Sequence, residues 1–263
     1  MKISFIGAGN AAWNLAIALH SKGHEIIWIS NRTIEKAKVL ADLVGAQATQ
    51  SIEGLDWGDS ELILISTRDD GYEKVGQILR TTIPVAHTSG SIALHVLKDC
   101  SAQFGVFYPL QSMLKDRPTD FSKVPFCIEA NSEELFQTLW NLAKDLTESV
   151  YKIDSEERMK LHLGAIFASN FSNFLYILSK DFLRKNQLPE HILDPLILET
   201  AQRIENMDPA QMQTGPARRG DLVVLNKHIS MLENNALMRD VYRLMSQKIV
   251  EHYGHNSKTF EKF

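Results

Sequence analysis

The spacing of apolar residues changes near residue 154. Before it, short apolar runs alternate with amphipathic stretches. Lys2–Ile6 reads as a strand, Gly7-Ala-Gly-Asn-Ala-Ala12 as a turn, and Trp13, Leu15, Ala16, Ala18 and Leu19 as one face of a helix. Ser21-Lys22-Gly23-His24 stops that helix, and Glu25–Ser30 follows as a second strand. Residues 34–44 read as a helix closed by Gly45. Further strands are expected at 60–66, 84–87, 103–107, 126–129 and 150–153, with a helix over 133–144. Strand followed by helix, repeated, predicts a doubly wound, mostly parallel α/β sheet through residue 153.

After it, no strand pattern remains. Asp154-Ser-Glu-Glu157 has the form of a capping box, and a helical run continues from it to about residue 185. Further helices are expected over 190–206, 221–233 and 236–253, with Gly254 as the stop. The polar residues 255–263 are expected to fray. The chain therefore divides into an α/β domain, 1–153, and an all-α C-terminal domain, 154–263. At ~100° per residue, Ser169 and Asn173 share the face of His162, and Asn170 lies ~80° round. Leu161, Leu163, Ile166, Phe167, Phe171 and Phe174 fill much of the rest, so the long helix is expected to be buried, with its polar groups partnered.

The turn at residue 7 has a specific chemistry. Strand, glycine turn, helix and second strand within about thirty residues form the context of the dinucleotide fingerprint, and the sheet is then of Rossmann type. Gly7 allows the tight turn, Gly9 lets a pyrophosphate approach the backbone, and Ala12 keeps the helix close to the sheet. Gly7, Ala8, Gly9, Asn10 and Ala11 are the candidate cradle, with the helix N-terminus offering N–H groups and a positive dipole end. The second strand ends in Ser30-Asn31-Arg32-Thr33, where a carboxylate for the ribose hydroxyls of NAD would stand. No acid there repels a 2′-phosphate and a guanidinium is present, so Asn31, Arg32 and Thr33 point to NADP(H). Ser66, Thr67 and Ser89, after later strands, are expected near the ribose and nicotinamide. Asp69 and Asp70 read as a catalytic pair or, more simply, as solvated helix-start carboxylates.

Composition adds exclusions. The 263 residues are 44% hydrophobic and 23% charged, with net charge −4, which argues against nucleic acid or an anionic membrane as partner. Cys100 and Cys127 form neither a CxxC pair nor a metal spacing, so no metal is expected and a reducing cytoplasm is the expected compartment. Gly7, Gly9, Asn10 and Asn14 interrupt the first apolar stretch, so neither a signal peptide nor a membrane-spanning run is expected. Thr214-Gly-Pro-Ala-Arg-Arg-Gly-Asp221 forms a shaped, charged loop. Arg218, Arg219 and Asp221 there suit a substrate carboxylate or phosphate, or Asp221 caps the next helix. His228 lies two turns further on.

With these residues the chain resembles the bacterial two-domain NADP oxidoreductases that join a Rossmann-like domain to a helical domain of unknown function. They are kin to pyrroline-5-carboxylate reductases, F420-dependent NADP oxidoreductases, and 6-phosphogluconate and 3-hydroxyacid dehydrogenases. The markers are Ile6-Gly-Ala-Gly-Asn10, His87-Thr-Ser-Gly-Ser91, Gly105-Val-Phe-Tyr-Pro-Leu110, Ala168-Ser-Asn-Phe171 and Thr214-Gly-Pro with Arg219-Gly-Asp221. Tyr108 stands where that family usually has His. Ile166 stands where hydroxyacid dehydrogenases carry a lysine, and the loop at 214–219 lacks the pyrroline-5-carboxylate reductase pattern. The resemblance implies hydride transfer between NADPH and a small carbonyl or imine, and a homodimer built on the C-terminal helices. It implies a substrate bound between the domains against Pro109, His162, Asn170 and the Arg218–Asp221 loop. His162 and Asn170 are the candidate catalytic residues. An NADP-binding regulatory or scaffold protein without turnover is the alternative.

The cofactor reading needs no substrate to test. A hydrogen bond to a charged group contributes ~1.5–3 kcal/mol, roughly ten- to a hundredfold in affinity. NADPH is expected to bind at least tenfold tighter than NADH in a titration, and Arg32→Ala to erase most of that gap; equal affinities in the unsubstituted protein would refute the assignment of Arg32.

Overall fold

A computed structural model describes residues 1–254; the expected fraying of 255–263 lies outside them. One sheet of eight strands is present: β1 (Lys2–Ile6), β2 (Glu25–Ser30), β3 (Gln47–Thr49), β4 (Leu62–Ile65), β5 (Val85–His87), β6 (Phe104–Pro109), β7 (Phe126–Ala130) and β8 (Val150–Lys152). Their order is β3-β2-β1-β4-β5-β6-β7-β8, parallel except for the β6–β7 pair. The chain leaves β1 toward β2 on one side and returns to β4 on the other. The crevice at the carboxyl ends of β1 and β4 is the switch point where doubly wound sheets bind ligands. The sequence pattern gave no sign of β3, whose three residues are too few to show a period.

The sheet and its covering helices come from a consistent pattern. β4 is buried at all four positions, as expected of a parallel strand covered on both faces. The helices α1 (Asn10–Ser21), α2 (Ile34–Val44), α3 (Tyr72–Ile78) and α4 (Glu133–Lys144) cover the faces. Gly45, at φ 67°, closes α2 in the left-handed conformation that glycine adopts at least cost. Ser132 caps α4, which buries Leu135, Leu139, Leu142 and Ala143. Phe107 and Phe126 pack with ring centroids 4.8 Å apart in the same core.

Helix α5 (Ser155–Ala165) begins with the expected capping box: Asp154 Oδ1 accepts the Glu157 N–H at 2.9 Å and Glu157 Oε2 accepts the Asp154 N–H at 3.1 Å. One turn later Arg158 is fully buried. Its Nη1 donates to Glu129 Oε2 of β7 at 2.5 Å, and its Nη2 donates to the Ile92 carbonyl at 2.5 Å. Ser155 Oγ donates to the same carboxylate and accepts the Leu94 N–H. A helix, a strand and the loop after β5 are thereby fixed to one another.

Two expectations for the following helix need correction. Residues Ile166–Phe171 are π-helical rather than α-helical. A π turn holds one residue more, so faces counted across it at 100° per residue drift by about one residue's rotation. Ser169 lies against Ser112, with their hydroxyls 3.3 Å apart. The helix is also not buried: Leu163, Phe167, Phe171, Phe174 and Ile177 are exposed. Ser155–Lys185, 31 residues, is long and apolar enough to cross a membrane by length and composition, although a membrane-length run was not expected. Its charges gather at the two ends, which leaves the middle apolar despite Gly164, Ser169 and Asn170.

The chain forms two compact units, Met1–Phe171 and Ser172–Phe263. The second contains α6 (Ser172–Lys185), α7 (Asp194–Gln202), the single turns α8 (Pro209–Met212) and α9 (Pro216–Arg219), α10 (Leu222–Met231) and α11 (Ala236–His252). Short 3₁₀ turns flank α7, so the helix expected over 190–206 is broken at both ends. Ala217, Leu225 and Val250 make its small core.

The buried clamp predicts a stability effect. Arg158→Leu leaves the Glu129 carboxylate without its partner and is expected to cost about 3–5 kcal/mol, read as a lower urea midpoint with an unchanged slope. A loss below 1 kcal/mol would show that the pair does not hold the fold.

Candidate functional site

A cleft of about 840 Å³ opens at the carboxyl ends of β1, β2, β4 and β5. It is lined by Gly7, Ala8, Gly9, Asn10, Ala11, Asn31, Arg32, Thr33, Ser66, Thr67 and Ser89, and by His162. Twelve residues singled out from the sequence thus meet in one cavity of the first unit. Asn170 is exposed in the π segment, and Pro109 is buried at the end of β6; neither lines the cleft. Arg218, Arg219 and Asp221 belong to the second unit. There Asp221 caps α10, accepting the Val224 N–H at 3.2 Å, and the Arg218 guanidinium lies 4.0 Å from the Tyr253 ring centre. His228 Nδ1 is 2.8 Å from the Tyr242 hydroxyl.

The glycine turn is shaped by its neighbours. Gly7 has φ 121°, and a Cβ on it would stand 2.1 Å from the Ser66 carbonyl oxygen, so only glycine fits between β1 and β4. A Cβ on Gly9 would meet nothing within 4 Å: that space opens into the cleft. No side chain caps α1 and no acid occupies its first turn. Its N–H groups and dipole therefore face the cavity without a protein anion. Beside it, the Asn31 side chain donates to the Thr33 carbonyl and Gln50 to the Arg32 carbonyl, which sets the turn from β2 into α2. Lys36, four residues beyond Arg32 and in the first turn of α2, lines the same cleft; a second basic residue so close to Arg32 is its only signal in the sequence.

At the other end polar groups interlock. Thr88 Oγ1 donates to Ser66 Oγ at 2.9 Å. Asp69 accepts from Ser89 Oγ at 3.0 Å and from Ser91 Oγ at 2.6 Å, so it is tied into the loop after β5 and is no merely solvated carboxylate. Asp70 pairs with Arg68 instead. Gly90 lies in tight contact: a Cβ there would be 2.7 Å from His162 Nδ1 and 2.7 Å from Tyr108 Cζ. The Tyr108 hydroxyl lies 3.3 Å from His162 Nδ1, and burial pushes this phenol up to about 12.

Beneath that loop His87 is fully buried. Its Nδ1 accepts the Ser89 N–H at 3.2 Å, and its ring meets Tyr72 edge-on at 5.4 Å. Burial, with the Arg158 charge adding to it, lowers His87 to about 3. Neutral imidazole is what the Ser89 bond requires, because Nδ1 then carries a lone pair. Tyr108 and His87 were visible in the sequence only as parts of motifs; their roles arise from burial.

Sheet order, glycine turn and cleft define a Rossmann-type nucleotide-binding fold. Residues 2–82 match the family model described as NADP oxidoreductase coenzyme F420-dependent, and residues 124–249 match a domain of unknown function, DUF2520. A candidate NADP oxidoreductase from Bacteroides fragilis is 39% identical over 95% of this chain and 98% of that one, with TM-score 0.90. The chain belongs to this family of two-domain NADP oxidoreductases. The fold is shared with 1-pyrroline-5-carboxylate reductase from Streptococcus pyogenes, at 17% identity, 95% and 98% coverage and TM-score 0.65. It is shared too with an imine reductase from Myxococcus stipitatus in complex with NADP+, at 17%, 98% and 96% coverage and TM-score 0.62. No curated protein matches the chain.

His87 gives a pH signature. The unfolded chain takes up a proton at this position near ~6.5, whereas the folded site refuses it down to about 3. The contribution is full above that upper value and is lost as pH falls toward the lower one, at most ~1.4 kcal/mol per pH unit. The stability difference between the unsubstituted protein and His87→Asn, measured by urea denaturation, is expected to be constant above pH 7 and to narrow from pH 6 to 4. A difference independent of pH would overturn the assignment.

Proposed function

We propose that this protein uses NADPH to reduce a small carbonyl or imine compound bound beside His162. The observation that carries the reading is the junction, in one cleft, of an open dinucleotide cradle with a polar cluster of Ser89, Ser91, Asp69, Tyr108 and His162. The residues fit the dinucleotide. The space over Gly9 and the uncapped α1 N-terminus suit a pyrophosphate, and Asn31, Arg32, Thr33 and Lys36 suit a 2′-phosphate. NADP+ bound to the imine reductase of the same fold supports this choice.

The cofactor, when bound, supplies the hydride for the substrate carbon. The chain has to orient the acceptor and supply a proton to its oxygen or nitrogen. Tyr108 keeps its proton at working pH and donates it as a hydrogen bond to His162 Nδ1. His162 then carries its own proton on Nε2, the atom free to serve the substrate. The Nε2 proton passes to the developing alkoxide or amide anion while Nδ1 takes the Tyr108 proton, leaving an alcohol or an amine, a neutral His162 and a Tyr108 phenolate that water reprotonates. Gly90 lets His162 and Tyr108 approach the Ser89–Ser91 loop. Asn170 and Pro109, which do not line the cleft, take no part in this reading. A polar rather than apolar cleft end favours turnover over a scaffold role. Buried, unpaired Cys100 and Cys127 suit a reducing compartment such as the cytoplasm.

His162→Phe is expected to leave NADPH affinity within a few-fold. In a metabolite screen following nicotinamide absorbance, it should lower turnover by about a hundredfold or more, the loss typical of a group acting only in the transition state. Normal turnover would return His162 to a packing role. Assembly is checked separately. Phe167, Phe171, Phe174, Leu196, Leu198, Leu237, Leu244 and Met245 are exposed, and we assign them to a homodimer interface through the helical domain. Light scattering at micromolar concentration is expected to give twice the chain mass; a monomer ends that idea.

A further inference from the structure

The segment after β6 returns to the glycine turn. It contains one isolated bridge, Leu114 to Arg117, and a single side chain of α1 holds both of its ends. Asn14, buried, donates from Nδ2 to the Leu114 carbonyl at 3.1 Å and accepts at Oδ1 from the Thr119 N–H at 3.0 Å. The loop is thus tied to the helix whose N-terminus faces the cleft. Lys115 stands near its tip with Nζ 4.5 Å from the centre of the Trp13 ring, an arrangement that holds the ammonium by its attraction to the indole face. It lines the cleft together with Gly7–Ala11, Arg32 and Lys36.

This end of the cavity gathers three cations, Arg32, Lys36 and Lys115. Among the described residues no ion pair joins Arg32, Lys36 or Lys115 to a carboxylate. Partial burial lowers the hold of Lys115 on its proton, the charge of Lys36 adds to that, and neighbouring Asp116 opposes it. Cations gathered in this way repel one another until an anion enters between them. The dinucleotide offers two anions, the pyrophosphate and the 2′-phosphate. Lys36, in the first turn of α2, and Arg32, just before it, line the same cavity as Lys115.

We propose that the Leu114–Thr119 loop is a strap over the adenosine end of the cofactor and that Lys115 is a further cation on the 2′-phosphate, so that it helps select NADPH over NADH. This rests on the proposed use of NADPH. It is tested by titrating the unsubstituted protein, Lys115→Ala and Lys115→Arg with NADPH, NADH and adenosine 2′,5′-bisphosphate. Lys115→Ala is expected to weaken NADPH and the bisphosphate about tenfold, the lower range for a bond to a charged group, and to leave NADH within twofold. Lys115→Arg is expected to recover most of the loss, and the salt dependence of NADPH binding should flatten in the alanine variant. Equal weakening of NADPH and NADH moves Lys115 to the pyrophosphate and overturns the proposal, as does an unchanged NADPH affinity. If the unsubstituted protein binds none of the three, the cofactor reading fails and the strap falls with it.

Discussion

The buried Arg158–Glu129 ion pair is the constraint on which the arrangement of the first unit depends. Two ions taken from water are stabilising only when geometry and further hydrogen bonds satisfy them. Here Ser155 and the Ile92 carbonyl bind the carboxylate and Nη2, while Nε has no partner among the described residues. The pair settles where α5 lies against β7 and where the loop after β5 ends. Both walls of the polar end of the cleft, His162 on one side and Ser89–Ser91 on the other, take their places from it. The same guanidinium adds its charge to the burial that keeps His87 neutral, and neutral His87 accepts the N–H of Ser89. One cation therefore serves packing, loop position and protonation state together.

The two ends of the cleft are built on different principles. At the end beside the glycine turn the backbone does most of the work: a glycine that tolerates φ 121° and a helix start without a side-chain cap, with Arg32, Lys36 and Lys115 beside them. Such a surface suits a mobile anion and discriminates by charge. At the opposite end the groups satisfy one another before any ligand arrives, Thr88 with Ser66 and Asp69 with two serines. Preorganised polar groups of this kind favour a defined geometry for a reacting centre.

Much of this was legible in the sequence where local chemistry determines the outcome. The glycine turn, the strand ending in Asn31-Arg32 and the capping box at Asp154 are short-range features, and their residues take the expected conformations. What depended on three-dimensional closure was not legible. β3 is too short to carry a pattern, and the π turn at 166–171 has no composition of its own. Phe167 and Phe171 look like core residues in sequence, yet both are exposed. Arg158 reads as an ordinary charged position in a helix's first turns, and only the fold reveals that it is the most deeply buried cation of the unit. Tyr108 beside His162 follows from the pairing of β6 with its neighbours and from Gly90, neither of which a linear motif expresses.

The reversal of direction between β6 and β7 has a geometric consequence. β7 begins opposite Pro109, at the cleft edge, and runs away from it, so α5, which starts after β8, has to travel back across the sheet. Arg158 is anchored at the level of Val106, the partner of Glu129, and His162 arrives at the level of Tyr108. Four helical residues rise ~6 Å, and two strand residues span ~6.6 Å. The helix and the strand thus act as two rulers laid side by side, zeroed at the ion pair and read at the imidazole. A single residue inserted or removed between Arg158 and His162 would shift the reading by ~1.5 Å and turn it by ~100°, so the spacing between these two residues is fixed as firmly as their identities.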